Sequence, residues 1–143
     1  MKIVKSGERK GCKEALLSLG EKPELKHNQA KEKLKLLGFT SMVDYLAEIC
    51  EMIINESSLL PHVNPGTMSE ADILLLRPFS ASMGMMLETI SKRLNKKNGP
   101  HYACPDKVPL QRIRTLERAG KNKVPFTTGL LIGIGETWNE RLE

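Results

Sequence analysis

Cysteine is scarce in this sequence: Cys12, Cys50 and Cys104 are the only three, far apart, with no C-x-x-C pair among them. A structural zinc site or a self-contained iron–sulfur site needs closely spaced thiolates, so neither is encoded locally. The three thiols read as small hydrophobes or bystanders, and no metal-ligand set is assigned. Aromatics are scarce as well: one Trp, two Tyr and three Phe, none interleaved with basic residues for base stacking. That weighs against nucleic acid as a partner. No apolar run approaches the ~20 residues that a bilayer core demands, so no membrane span is expected. The opening Met1-Lys2-Ile3-Val4-Lys5 is too short and too charged for the apolar region of a signal peptide, and a cytoplasmic location is expected. Blocks of like charge are missing too. Lys and Arg number 22 against 17 Asp and Glu, a formal +5, but the signs interleave. Lys22, Lys26, Lys31, Lys33 and Lys35 alternate with Glu21, Glu24 and Glu32, which suits a solvated face better than a phosphate stripe.

What is present suffices for one domain. The chain has 143 residues, 40% of them apolar, enough to bury a sizeable core. No repeat, low-complexity tract or linker interrupts it, so residues 1–143 read as a single unit. Residues 14–19 form a short apolar run stopped by Gly20, as a buried parallel strand would be. Residues 27–37 turn helical, with Ala30, Leu34 and Leu37 on one side and Gly38 as the stop. Ser41 and Asp44 open a helix whose stripe is Met42, Leu46, Ile49 and Ile53, widened by Val43, Cys50 and Ile54. A second strand is expected over residues 58–61, with Pro61 to Gly66 as loop. Ser69 starts a further helix that ends before Pro78. A third strand is expected over 79–83, a helix over 85–94, a long loop to Pro105, and a helix from Pro109 to Gly120. The run Phe126 to Ile132 reads as the fourth and best strand, leading into a Gly-x-Gly turn.

Strand and helix alternate throughout, which argues for a parallel sheet with helices packed on it. Four parallel strands do not close a barrel, so the sheet is either open or half of a (β/α)8 barrel. In the half-barrel the helices lie on the outer face and leave the other face apolar and exposed.

In parallel α/β folds ligands bind beyond the carboxyl ends of the strands. Those ends hold Gly20 and Glu21; His62 and Asn64; Ser82, Gly84 and Glu88; and Gly133, Ile134, Gly135 and Glu136. Glycines let backbone approach a ligand, and the carboxylates accept from an ammonium or a ribose hydroxyl. The same glycines also simply end strands, and the same glutamates suit helix starts. His62 and Asn64 are equally ordinary loop residues, and Arg112, Arg114 and Arg118 on one helix read as a solvated basic face. Gly133-x-Gly135 is a weak dinucleotide signal, because the third glycine would fall at Trp138.

Four strings carry more than chemistry alone. They are Gly20-Glu21-Lys22-Pro23, Leu60 to Gly66, Ala81-Ser82-Met83-Gly84-Met85-Met86-Leu87-Glu88, and Pro125 to Thr137. Together they resemble the radical S-adenosylmethionine (radical SAM) subunit family of 7,8-didemethyl-8-hydroxy-5-deazariboflavin synthases, which make the deazaflavin of factor 420. The similarity runs from about Gly11 to Arg141. The wider superfamily pattern G-x-[IL]-x-G-x-x-E is met by Gly129, Leu131, Gly133 and Glu136.

The resemblance implies a partial (β/α)8 TIM-type radical SAM barrel, roughly the second to fifth strands. The family's C-x-x-x-C-x-x-C loop for a [4Fe–4S] cluster would precede Met1, so the chain is expected to hold no cluster and to be inactive alone. In the family the reduced cluster cleaves S-adenosyl-L-methionine (SAM) to a 5′-deoxyadenosyl radical. That radical takes a hydrogen atom from a hydroxybenzyl-diaminouracil adduct, which cyclises with loss of ammonia. A companion radical SAM subunit supplies the adduct. By carry-over, Gly20 and Glu21 meet the SAM amino group, Ser82 and Glu88 face its ribose or the substrate, and Arg112 meets its carboxylate. Gly133, Ile134 and Gly135 pass along the adenine, and His62, Asn64 and Glu136 contact substrate. Two other classes stay open: a standalone α/β module that holds a nucleotide-like ligand without chemistry, and a basic nucleic-acid module.

Overall fold

Register sets which face each strand presents. The computed structural model describes all residues, 1–143. Its four strands, β1 (Glu14–Ser18), β2 (Leu60–Asn64), β3 (Ser82–Gly84) and β4 (Phe126–Thr127), form one sheet in the order β1-β2-β3-β4. Every pairing is parallel, as the alternation requires. Leu16, His62 and Ser82 stand in one row across the sheet. Because side chains alternate, that row faces one way and Leu17, Val63 and Met83 the other.

The second set meets the helices. α4 (Met42–Glu56), α5 (Glu70–Leu76) and α6 (Pro109–Lys121) supply Val43, Leu46, Ala47, Cys50, Ile73, Leu76 and Ala119 to one apolar core with Val63, Met68, Met83 and Val124. Ser41 and Ser69 cap α4 and α5 by accepting from the Asp44 and Asp72 amides, and at α5 the capping box is complete. Of the expected stripe of α4, Leu46, Ile53, Val43 and Cys50 are buried, joined by Ala47, while Met42 and Ile49 are half-buried and Ile54 is exposed. The shorter helices α1 (Lys2–Arg9), α2 (Pro23–Lys26), α3 (Asn28–Leu36) and α7 (Trp138–Leu142) frame the ends of the chain and the first crossover.

The structure corrects four expectations. Pro61 to Asn64 is strand, not loop. The Pro61 carbonyl accepts from the Ala81 amide, so its nitrogen points to the same flank, where β3 has not yet begun and no donor is required. Residues 85–94 form no helix: Glu88 has φ 67° and bridges to Leu130, and only a 3₁₀ turn follows at Lys92–Asn95. The fourth strand is two residues long, because its partner β3 ends at Gly84 and the ladder resumes only at that bridge. The open face of the sheet is only partly apolar. Leu16 and Leu60 are 66% and 54% exposed there, but His62 and Ser82 share the row of Leu16, and Ser18, Asn64 and Thr127 lie nearer the carboxyl ends. No helix is long and apolar enough to cross a membrane.

Candidate functional site at the carboxyl ends of the strands

A cleft of about 280 Å³ opens at the carboxyl ends, lined by Leu19, Glu21, Asn64, Gly66, Met85, Met86, Glu88, Lys107 and Arg112. Four residues singled out from sequence therefore share it: Glu21 after β1, Asn64 at the end of β2, Glu88 after β3, and Arg112 on α6.

Glu21 is held from two sides. The Thr67 amide donates to its Oε1 at 2.6 Å and the Thr67 hydroxyl bonds the same oxygen, while Arg112 Nη2 lies 3.6 Å from Oε2. Gly66 makes room for this. It has φ 86°, and a Cβ there would stand 2.5 Å from Glu21 Cδ, so glycine is required for both conformation and space.

Arg112 is not part of a solvated basic face. Its side chain is 5% exposed, its Nε donates to the Asp106 carbonyl at 2.9 Å, and its Nη1 donates to the Met86 carbonyl. Arg118 likewise donates to the Met68 carbonyl, at 2.8 Å. Both arginines stitch α6 to the loops above the sheet.

Glu88 owes its position to its backbone. Its amide donates to the Gly129 carbonyl and its carbonyl accepts from the Leu131 amide, each at 2.9 Å, which turns the side chain into the cleft. There the carboxylate meets His101 Nε2 at 2.9 Å and pairs with Lys107. His101 and Lys107 were missed in the sequence because they lie in a long loop without periodicity. Their only signal would have been two basic residues flanking Pro105.

His62 and Ser82 do not line this cleft. They face each other on the open side of the sheet, Nδ1 to Oγ at 2.6 Å. Gly84 leaves space for the ring, since a Cβ there would stand 2.9 Å from His62 Nε2.

Gly133, Ile134 and Glu136 form a closed unit of their own. The Gly133 and Ile134 amides donate to the Glu136 carboxylate at 2.8 and 2.9 Å, and Arg141 donates at 2.5 Å. The Gly133 amide foremost, with Arg141, holds the carboxyl down at about 2. Glu136 thus spends its acceptors within its own turn instead of presenting them to the cleft. Gly135 gives its carbonyl to Arg93 at 2.7 Å. Gly20 ends β1 with open space around it.

The thiols do not suit an iron–sulfur cluster. Cys50 is buried in the core, where burial pushes its pKa up to about 11, while Cys12 and Cys104 are exposed on separate segments. No three Cys, His, Asp or Glu side chains come together as a metal site.

A parallel sheet backed on one face by helices, with charged groups gathered at its carboxyl ends, defines a segment of a (β/α)8-type α/β fold. A solved structure of methylornithine synthase (PylB) shares this fold, with a TM-score of 0.56 and 20% identity over 69% of this chain and 28% of that one. No protein-family profile matches the chain. Curated relatives do: the 7,8-didemethyl-8-hydroxy-5-deazariboflavin synthase of Methanopyrus kandleri is 47% identical over 141 residues, which is 99% of this chain and 42% of that protein. The FO synthases of Streptomyces avermitilis and Mycobacterium tuberculosis are 50% and 46% identical over 142 residues, covering 16% and 17% of their lengths. The chain is a homologue of part of the 7,8-didemethyl-8-hydroxy-5-deazariboflavin (FO) synthases, and it spans less than half the length of these relatives.

Proposed function

We propose that the chain is the SAM- and substrate-facing middle of a radical SAM enzyme of deazaflavin biosynthesis. That enzyme forms 7,8-didemethyl-8-hydroxy-5-deazariboflavin from a hydroxybenzyl-diaminouracil adduct, with loss of ammonia. The observation that carries this reading is the convergence of Glu21, Asn64, Glu88 and Arg112 on one cleft, in a chain 47% identical to such a synthase.

The residues fit one end of SAM. An α-amino carboxylate needs an acceptor for its ammonium and a cation for its carboxylate, and Glu21 and Arg112, 3.6 Å apart, are that pair. Arg112 keeps Nη2 for this task, since its Nε and Nη1 are already spent on carbonyls. Asn64 and Glu88 line the same cleft and are left for ribose hydroxyls or substrate. His62, oriented by Ser82, offers a proton acceptor on the open face. Bound SAM would supply the hydrogen-abstracting radical. The [4Fe–4S] cluster is a different matter: the three thiols lie apart and do not fit it. The adduct would come from a companion radical SAM activity, and neither nucleic acid nor membrane enters the reading.

Two experiments test this. Equilibrium dialysis with labelled SAM should show saturable binding to the chain that Glu21→Gln and Arg112→Lys each weaken at least tenfold. Unchanged binding by both variants would refute the site. A chimera of the Methanopyrus kandleri synthase, with its matching region replaced by this chain, should form the deazaflavin. A folded, cluster-loaded chimera that makes none would refute the function. The binding-only alternative predicts retained SAM affinity and a silent chimera.

A further inference from the structure

Thr67 sits in the loop between β2 and α5 and has no role in the reading above. It is not among the residues that line the cleft, yet it spends both its amide and its hydroxyl on Oε1 of Glu21, the amide at 2.6 Å. Two donors on one oxygen leave that oxygen little capacity for a ligand, and hydrogen bonds to a carboxylate are the stronger kind. Oε2 is the oxygen left over, and it is the one 3.6 Å from Arg112 Nη2. The carboxylate is thus held by one oxygen and offered by the other.

The neighbouring residue repeats the pattern. Lys22 has a left-handed backbone, φ 42°, which a lysine keeps only where its surroundings hold it. Its Nζ reaches Asp72 Oδ2 at 3.0 Å, and Asp72 also completes the capping box of α5. Glu21 and Lys22 are therefore fastened side by side, one to the β2–α5 loop and one to the first turn of α5. That loop is itself gripped by α6. The Met68 amide donates to Thr115 Oγ1 at 3.2 Å, and Arg118 Nη1 donates to the Met68 carbonyl at 2.8 Å. Met68 and Thr115 are both buried. Arg112, Thr115 and Arg118 follow one another at three-residue steps along one side of the helix. The same helix therefore carries the cation of the pair directly and holds its acceptor through Met68 and Thr67.

We infer that Thr67 is the positioning residue for the ammonium end of SAM, and that α6 sets the distance between the groups that meet the ammonium and the carboxylate. The inference rests on the reading of the cleft as a SAM site. Without the Thr67 hydroxyl, Glu21 loses half of what fixes Oε1 and is freer to turn. An incoming ammonium would then have to order the carboxylate itself, which costs affinity.

Thr67→Val keeps the shape and the amide bond but removes the hydroxyl, and Thr67→Ser puts a hydroxyl back. Equilibrium dialysis of the full chain compares SAM with its desamino analogue, in which hydrogen replaces the α-ammonium. Thr67→Val should weaken SAM about tenfold, as the loss of one hydrogen bond to a charged group does, and leave the analogue unchanged. Thr67→Ser should return SAM to wild-type affinity. Arg118→Met frees the Met68 carbonyl without touching the cleft lining and should weaken SAM in the same selective sense. Equal weakening of both ligands, or of neither, overturns the inference. The side-chain carboxyl ¹³C signal of Glu21, assigned by its loss in Glu21→Gln, reports the hold with no ligand present. It should move in Thr67→Val and return in Thr67→Ser, while the other glutamate signals stay in place and show each variant to be folded. A Glu21 signal that does not move overturns the inference as well. A wild-type chain that binds neither ligand, with the Glu21 signal behaving as expected, would sink the SAM reading and the ammonium role of Thr67 with it, while the hold on Glu21 stood.

Discussion

Gly66 and Glu21 occupy a space in which neither tolerates a larger neighbour: a Cβ on Gly66 would lie 2.5 Å from the Glu21 carboxyl carbon. The β2–α5 loop thus sets where the acid at the end of β1 points. Gly66→Ala should both strain a backbone at φ 86° and push the carboxylate off Thr67. The expected loss is about 1–3 kcal/mol of unfolding free energy, read by urea denaturation. SAM binding should fall with it. A variant of native stability would mean that the loop yields freely.

The His62–Ser82 contact is cheaper to remove. Ser82→Ala deletes one hydrogen bond at a half-buried site, worth about 1 kcal/mol, and frees the ring to rotate. The His62 ring signals should broaden or move while the remaining fold is kept. Gly84→Ala should do more harm, because its Cβ would stand 2.9 Å from His62 Nε2. If Ser82→Ala leaves the ring spectrum unaltered, the pair does not orient the histidine.

Thiol reactivity should separate the three cysteines. Cys12 and Cys104 are exposed, whereas Cys50 is fully buried with its pKa pushed up to about 11. Thiolate is the reactive form, so native alkylation followed by mass spectrometry should give two fast adducts. The third should appear only on unfolding. A Cys50 adduct at the rate of Cys12 would show that α4 opens locally.

The largest carboxyl shifts lie in the carboxyl-terminal turn. In the folded chain Glu136 is held at about 2, against the usual glutamate value of 4.5, by the Gly133 amide foremost and by Arg141. Glu140 is shifted further the same way, mainly by Arg93 and Ser91. Both therefore add stability that is fully present above the unfolded value of 4.5 and fades as the pH falls toward 2. Amide exchange at residues 133–142 should rise across that window, and Glu136→Gln should flatten the response. An acid transition confined to pH above 5 would contradict this assignment.

How much of this was legible beforehand depended on the range of the forces involved. The helix caps at Ser41 and Ser69 are local, and both were readable. Strand number, order and parallel sense followed from the alternation, as did the placing of Glu21, Asn64 and Glu88 at strand ends, whereas Arg112 came from the family resemblance alone and its own helix pattern pointed to solvent. Residues 85–94 misled because their pattern suits a helix. Glu88 instead takes a left-handed backbone to meet Gly129 and Leu131, some forty residues on, and no local signal carries that. Pro61 misled because proline usually marks a loop, whereas here its missing donor faces a flank where β3 has not yet begun. Glu136 has the right residue type for a ligand contact, but its own turn claims its oxygens.

The Glu88 carboxylate should prove to be the clasp of the long loop. One oxygen meets His101 and the other Lys107, six residues further on, so a single side chain gathers both ends of residues 101–107. It is only 12% exposed, and its partners lie at 8% and 34%, so the network is largely shielded from solvent. Glu88→Gln keeps the shape but removes the charge and one acceptor, leaving two basic groups competing for one oxygen. Breaking a partly buried charged pair costs several times more than breaking an exposed one. Hydrogen exchange should therefore quicken through residues 98–107, while the β1–β2 ladder, which Glu88 does not touch, stays protected. Lys107→Met should loosen the loop less, because His101 would still hold Glu88. Exchange in 98–107 that matches the wild type in Glu88→Gln would assign the loop's order to Asn95 and Arg112 instead, through their bonds to the carbonyls of Lys107 and Asp106.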